Sequence, residues 1–110
     1  MTDRHPVRGG IYPYTGTLRR TDFLVVSIDA LNSAGTVIVL EVAEDVLGDV
    51  RGLLATQLGD RDPLPGRWVL GWRVNYARAD RFDVGARHGV VSPDTMAKVL
   101  STVRAAIEPL

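Results

Sequence analysis

Apolar and polar positions along this chain follow two different periods. Phe23-Leu24-Val25-Val26-Ser27-Ile28 and Thr36-Val37-Ile38-Val39-Leu40 are short runs rich in β-branched residues, each bounded by turn-forming residues. Such runs predict strands buried on both faces rather than helices. Residues 29–35 between them carry Asp, Asn, Ser and Gly, which let a chain reverse, so a polar loop is expected there. Trp68, Leu70, Trp72, Val74 and Tyr76 alternate strictly, which predicts a half-buried strand with one bulky face and places Trp72 and Tyr76 in the core. Ile11-Tyr12-Pro13-Tyr14 reads as a short first strand; Pro13 cannot donate to a ladder and marks an edge. Residues 15–22 read as an arginine-bearing loop, residues 50–58 as a weakly signalled strand, and Asp62-Pro63-Leu64-Pro65-Gly66 as a turn.

Towards the C-terminus the period becomes helical. Met96, Val99, Leu100, Val103 and Ile107 form one apolar stripe. Ser92 is placed to cap this helix, Pro93 occupies its first position, and Asp94 meets the positive end of its dipole. Val91 and Met96 are spaced for a hydrophobic staple, and Pro109 ends the helix. Burying each stripe residue stabilises by roughly 1.5–3 kcal/mol, so the helix is expected to dock on the sheet.

A chain of 110 residues is the size of one domain, read here as spanning 1–110. Its 45% hydrophobic content excludes a disordered chain. The absence of cysteine removes disulfides, redox dithiols and thiolate metal sites; no other ligand cluster stands out, so neither metal nor cofactor is expected. No apolar run approaches the roughly 18 residues of a membrane span, and residues 1–6 lack the apolar core of a signal peptide. A soluble cytoplasmic protein with no membrane partner is the expectation.

The zero net charge hides an uneven distribution. Residues 29–62 are acidic, whereas residues 67–87 and the first twenty residues are arginine-rich. If the two basic segments meet, they form a patch suited to phosphate, with the acidic stretch facing elsewhere.

Four motifs carry a resemblance that covers nearly the whole chain. The strand pair with its LVVS and TVIV runs and Asn32 between them resembles the core of the MazF/PemK toxins of type II toxin–antitoxin systems. Arg8-Gly9-Gly10-Ile11-Tyr12 is similar to that family's opening R-G-D/E-I/V-Y/W, and Gly89-Val90-Val91-Ser92-Pro93-Asp94-Thr95-Met96 to its G-x-L-S-P-E-x-M entry to the last helix. The strand bearing Arg73 and Asn75 looks like its Q-I/V-R-T strand. The resemblance implies a mostly β fold with a C-terminal α-helix, a small bent SH3-like β-barrel of the MazF/CcdB type. It also implies a homodimer that binds single-stranded RNA across the dimer face, cleaves it without a metal, and is silenced by a cognate antitoxin.

In that chemistry the ribose 2′-hydroxyl attacks the adjacent phosphate, which requires proton transfer and cationic stabilisation of the phosphorane. The resembling enzymes use an arginine before a proline at the start of the second strand and a threonine at the end of the third. Here Thr21-Asp22 and Ala43 occupy those positions. The catalytic candidates are therefore Arg20 and Arg19 for phosphate charge, with Thr21 beside them, and Glu41 as a proton acceptor. Arg8, Arg73 and Asn75 are the candidate RNA-binding residues, with Gly71 leaving backbone room for a ligand. Tyr12, Tyr14, Trp72 and Tyr76 could stack bases. His5 and His88, in expected loops with no carboxylate motif nearby, are read as neither ligands nor bases. The competing class is a catalytically degenerate binder on the same scaffold, directed at RNA or, like CcdB, at gyrase. The chain ends Ile107-Glu108-Pro109-Leu110 and lacks CcdB's Trp-Gly-Ile tail.

Overall fold

A computed structural model of the protein describes residues 4–15, 20–46 and 53–108. Its strands are β1 (Gly10–Thr15), β2 (Arg20–Val25), β3 (Thr36–Ala43), β4 (Ala55–Gln57), β5 (Trp68–Arg78) and β6 (Gly89–Val90); its helices are α1 (Asp29–Ser33) and α2 (Pro93–Ile107). The strands form one sheet in the order β4-β5-β3-β2-β1-β6, and every pairing is antiparallel. The sheet curls into a half-barrel around α2, so the mostly β architecture with a C-terminal helix holds. Among the described residues no helix is long and apolar enough to cross a membrane.

The β-branched runs form the centre because their alternate residues fill two separate cores. Ile11, Leu24, Leu40 and Val42 meet Met96 and Val99 of α2 on one face. Tyr12, Val25, Val37 and Val39 meet Ala79 and Phe82 on the other. The register aligns these sets across strands: Ile11 opposes Leu24, which opposes Leu40, while Val25 opposes Val39. Burial on both faces is what continuous apolar runs demand. The strand after the first reversal begins earlier than its apolar run, at Arg20, so residues 20–22 are sheet rather than loop, and Ile28 is exposed. Residues 29–33, expected as loop, close into the short helix α1. Its buried Asn32 locks the crossing. Ser27 Oγ donates to Asn32 Oδ1, Asn32 Nδ2 donates to the Ser27 carbonyl (3.1 Å), and Ser27 Oγ accepts from Ile38 N–H (2.9 Å).

Pro13 lies where β6, which pairs only with Gly10 and Ile11, no longer covers β1. The expected strand over 50–58 is reduced to β4, and residues 50–52 lie outside those described. Helix α2 begins as its signals specify: Ser92 Oγ accepts from Thr95 N–H (3.2 Å), and Pro93 follows at the first position. Val99 is fully buried, with Leu100 and Val103 packed at the core margin. Ile107 departs from the stripe; it projects into solvent at 68% exposure, beyond the reach of the sheet. Pro109 lies outside the described residues.

The largest departure from the alternation concerns β5. Trp68 to Gly71 are half-buried or buried, but the residues from Trp72 to Tyr76 are exposed on both faces. Gly71 marks the change. A Cβ there would stand 2.5 Å from Thr102 Oγ1 and 2.8 Å from the Leu54 carbonyl, to which Gly71 N–H donates at 2.8 Å. The backbone room left by this glycine is thus taken by α2 and the segment before β4, not by a ligand. β5 is pulled onto the helix at this point, and its pairing with β3 is interrupted between Leu40 and Val42. Trp72 and Tyr76 consequently lie outside the core, whereas Tyr12 is fully buried and accepts a hydrogen bond from Val7 N–H (3.0 Å). Tyr14 packs edge-on against Phe23, so neither Tyr12 nor Tyr14 is a free stacking platform.

Asp62 ties the proline-rich turn to the helix start. Its Oδ1 accepts from Ser92 N–H (3.0 Å), and its Oδ2 accepts from Gly59 N–H (2.9 Å) and from the Thr95 hydroxyl (2.7 Å). Burial pushes the Asp62 carboxyl up, but these hydrogen bonds outweigh it and hold the group below its usual 3.8. Asp62→Asn should destabilise the protein by about 2–3 kcal/mol at neutral pH, read by urea denaturation. A depressed carboxylate contributes fully above its unfolded value and progressively less as pH falls through its folded value. The gap between wild type and variant should therefore narrow only below pH 3.8. A gap that stayed constant down to acid unfolding would contradict this account. Gly71→Ala should cost about 1–3 kcal/mol through overpacking. Adding Thr102→Ala should restore only part of that loss in the same assay, because the Leu54 carbonyl remains in the way.

Candidate functional site

The start of β2, the end of β3 and the residue preceding β5 enclose an open cavity of about 340 Å³. Its walls include Arg20, Thr21 and Asp22 from β2, Glu41 and Ala43 from β3, and Arg67. Alternation sends the Thr21 side chain to the opposite face from Arg20, and the cavity at the strand end is bordered by all three consecutive residues. Glu41 reaches it because it sits at the interruption of the β3–β5 ladder. Across that interruption Arg73 Nε lies 3.8 Å from Glu41 Oε2.

Asp22, half-buried, is the hub of the polar contacts. Its Oδ2 lies 3.4 Å from Arg67 Nη1, and its Oδ1 accepts from His88 Nε2 at 2.9 Å. Arg67 Nη2 lies a further 3.8 Å from Glu44, another cavity residue. Arg20, by contrast, has no ion pair among the described residues and leaves its guanidinium available to an incoming anion. In and beside the cavity, Arg20, Arg67 and Arg73 stand against Asp22, Glu41 and Glu44. The expected separation of a basic patch from an acidic face does not hold here: the two kinds of segment meet and are nearly balanced in one place.

The sequence candidates divide accordingly. Arg20, Thr21 and Glu41 converge on the cavity, and Arg73 joins them through Glu41. Asn75, exposed on β5 opposite Val39, lies two residues further along. Arg8 is not part of this cluster; its Nε donates to the Val26 carbonyl (3.3 Å), and it lines a different groove with Met96 and Leu100 of α2. Arg19 lies outside the described residues. Asp22, Arg67 and His88 are functional candidates that sequence reasoning missed. Asp22 and His88 are 66 residues apart in sequence, and only the placement of the pre-β6 segment beside β1, the neighbour of β2, joins them. Among the described residues no three His, Asp or Glu side chains converge as a metal would need.

The chain matches no family model, and no curated protein matches its sequence. Solved structures do match. An endoribonuclease in complex with its cognate antitoxin, from a mycobacterial species, superposes with a TM-score of 0.82 at 23% identity, covering 96% of this chain and 98% of that one. A second mycobacterial endoribonuclease superposes at 0.79 and 23% identity, over 94% of this chain and 92% of that one. A MazE–MazF structure from Deinococcus radiodurans superposes at 0.78 and 19% identity, over 98% of this chain and 100% of that one. The fold is thus the MazF-type toxin fold that the sequence motifs resemble.

Proposed function

We propose that this protein is a toxin of a type II toxin–antitoxin system, an endoribonuclease that cleaves single-stranded RNA in the cytoplasm without a metal. The observation that carries this reading is Arg20, with no ion pair among the described residues, in a cavity shared with Arg67, Thr21, Asp22 and Glu41 at the rim of a MazF-type sheet. A dianionic phosphorane needs cationic partners already in position, and Arg20 is a cation that no described carboxylate engages. Arg73 and Asn75 extend the polar surface along β5 and would follow the RNA backbone. The structural neighbours, among them endoribonucleases and a complex with a cognate antitoxin, support both the activity and the antitoxin as partner.

Association as a homodimer follows from the bare half of β5. β4 pairs only with Trp68 to Leu70, which leaves Trp72 onward without a neighbour on that side among the described residues. Trp72, Val74 and Tyr76 alternate on one face of it and are 39%, 44% and 82% exposed. An uncovered apolar strand edge invites pairing, and a second copy of the chain would cover it while Arg73 and Asn75 on the opposite face stay available. The wild type should sediment as a dimer at micromolar concentration. Tyr76→Arg should shift it towards the 12.0 kDa monomer with little change in unfolding midpoint. A wild-type protein that stays monomeric at high concentration would contradict the dimer.

Purified protein should cleave single-stranded RNA in the presence of a chelator, leaving a cyclic phosphate and a free 5′-hydroxyl. Arg20→Ala should slow cleavage by about a hundredfold, the usual loss for one charged transition-state contact, whereas the exposed Arg61→Ala should not. Binding without cleavage would favour the disarmed binder, and that reading predicts that Thr21→Arg with Ala43→Thr creates activity. No binding at all would redirect the search to a protein target such as gyrase.

A further inference from the structure

Asp22 and His88 form a pair that the activity proposed above does not yet use. His88 Nε2–H donates to Asp22 Oδ1 at 2.9 Å; a carboxylate only accepts, so Nε2 carries a proton, and in the neutral ring the lone pair is on Nδ1. Nδ1 itself has no hydrogen-bond partner among the described residues, and the side chain is 26% exposed. The ring abuts Asp22, which lines the cavity that holds Arg20 and Arg67.

The backbone beneath this imidazole is tightly held. His88 N–H donates to the Ile11 carbonyl on β1 at 2.8 Å. The next residue, Gly89, has φ +149°, and a Cβ there would stand 2.8 Å from Pro63. Asp22 is held in turn by Arg67, whose Nη1 lies 3.4 Å from its other oxygen. A carboxylate that orients an imidazole and leaves the distal nitrogen open is the arrangement by which enzymes place a general base. A purely structural clasp would need only the Nε2 contact. A quarter-exposed ring with its second nitrogen open, joined to the cavity wall through Asp22, goes beyond that need.

We propose that His88 is the proton acceptor of RNA cleavage in this protein, with Asp22 as its positioning residue and Arg20 as the cation on the phosphorane. The inference rests on the ribonuclease reading above and assigns the proton transfer to a residue that the sequence excluded. Nδ1 of neutral His88 takes the proton of the 2′-hydroxyl as the 2′-oxygen bonds to phosphorus. The bond from phosphorus to the 5′-oxygen then breaks, its electron pair stays on that oxygen, and water supplies the proton that makes the 5′-hydroxyl. The imidazolium returns its proton to solvent, and nothing is oxidised or reduced. Glu41, engaged by Arg73, is left to hold that arginine rather than to carry the proton.

The test is single-turnover cleavage of a short RNA, with affinity measured separately on the same oligonucleotide lacking the attacking 2′-hydroxyl. His88→Gln keeps a donor for Asp22 but cannot act as a base near neutral pH. It should cut about a hundredfold or more slowly while binding the 2′-deoxy analogue within about threefold of wild type. His88→Ala should be equally slow, and added imidazole should restore part of its rate without altering its unfolding midpoint. Asp22→Asn should slow the wild type by a larger factor than it slows His88→Gln, because part of its effect passes through the imidazole and the rest through Arg67. If wild type cuts RNA and both His88 variants cut it equally fast, the inference falls and the ribonuclease reading stands. The inference falls in the same way if the variants are slow only because they bind weakly and imidazole restores nothing. If wild type does not cut RNA at all, both fall together.

Discussion

The approach of β5 to the C-terminal helix at Gly71 determines where the core ends and where the site begins. With no side chain at this position, the β5 backbone reaches the Leu54 carbonyl at 2.8 Å and lies against Thr102. A strand drawn inwards at one point cannot keep a straight ladder with its other neighbour, and the β3–β5 pairing skips between Leu40 and Val42. The residue left at that skip is Glu41. Its carboxylate therefore meets Arg73 and the cavity instead of continuing the apolar succession of β3. The same bend leaves Trp72, Val74 and Tyr76 outside the core. One missing Cβ thus sets the limit of the helix-covered core, the position of a site carboxylate and the exposure of an apolar strand.

Around the cavity the charges nearly cancel, and this bears on how such a site would handle RNA. A uniformly basic patch attracts any polyanion; here Asp22 and Glu41 each face an arginine, so the long-range field is small. Discrimination would come from Arg20 and from groups held in fixed geometry rather than from bulk attraction. The surrounding frame is suited to that task. Ser27 and Asn32 lock the β2–β3 crossing, Asp62 locks the helix start, and His88 N–H is held by β1.

Much of the fold was legible because the signals were local. The β-branched runs, the Ser92-Pro93-Asp94 helix start and the Met96–Val99 spacing each depend on residues within a few positions of one another. They became β2, β3 and α2 with small shifts in boundary. The alternation from Trp68 to Tyr76 failed half-way because a period of two says which residues share a face, not whether anything covers that face. The helix covers one half and leaves the other bare. The candidate site was legible in proportion to its dependence on strand position. Arg20, Thr21 and Glu41 lie on neighbouring strands and converged, whereas Arg8 reached a different groove on the helix side. The pairing of Asp22 with His88 left no sequence signal at all, since 66 residues separate them and only the folded sheet brings them together.

Asp22 also bears on what a MazF-type fold can do with Thr21 and Ala43 at these strand positions. A proline at position 22 would offer no acceptor, and His88 would then lack its carboxylate partner. With aspartate present, the same strand position gains a carboxylate that engages Arg67 on one side and His88 on the other. An aspartate here adds chemistry to the strand end without disturbing its pairing, since Asp22 opposes Pro13 and Val42 in register. This chemistry on a regular ladder is feasible because the largely covered Asp22 carboxylate is met by polar partners, Arg67 and His88. A MazF-type fold and this particular set of polar residues at its rim are thus compatible.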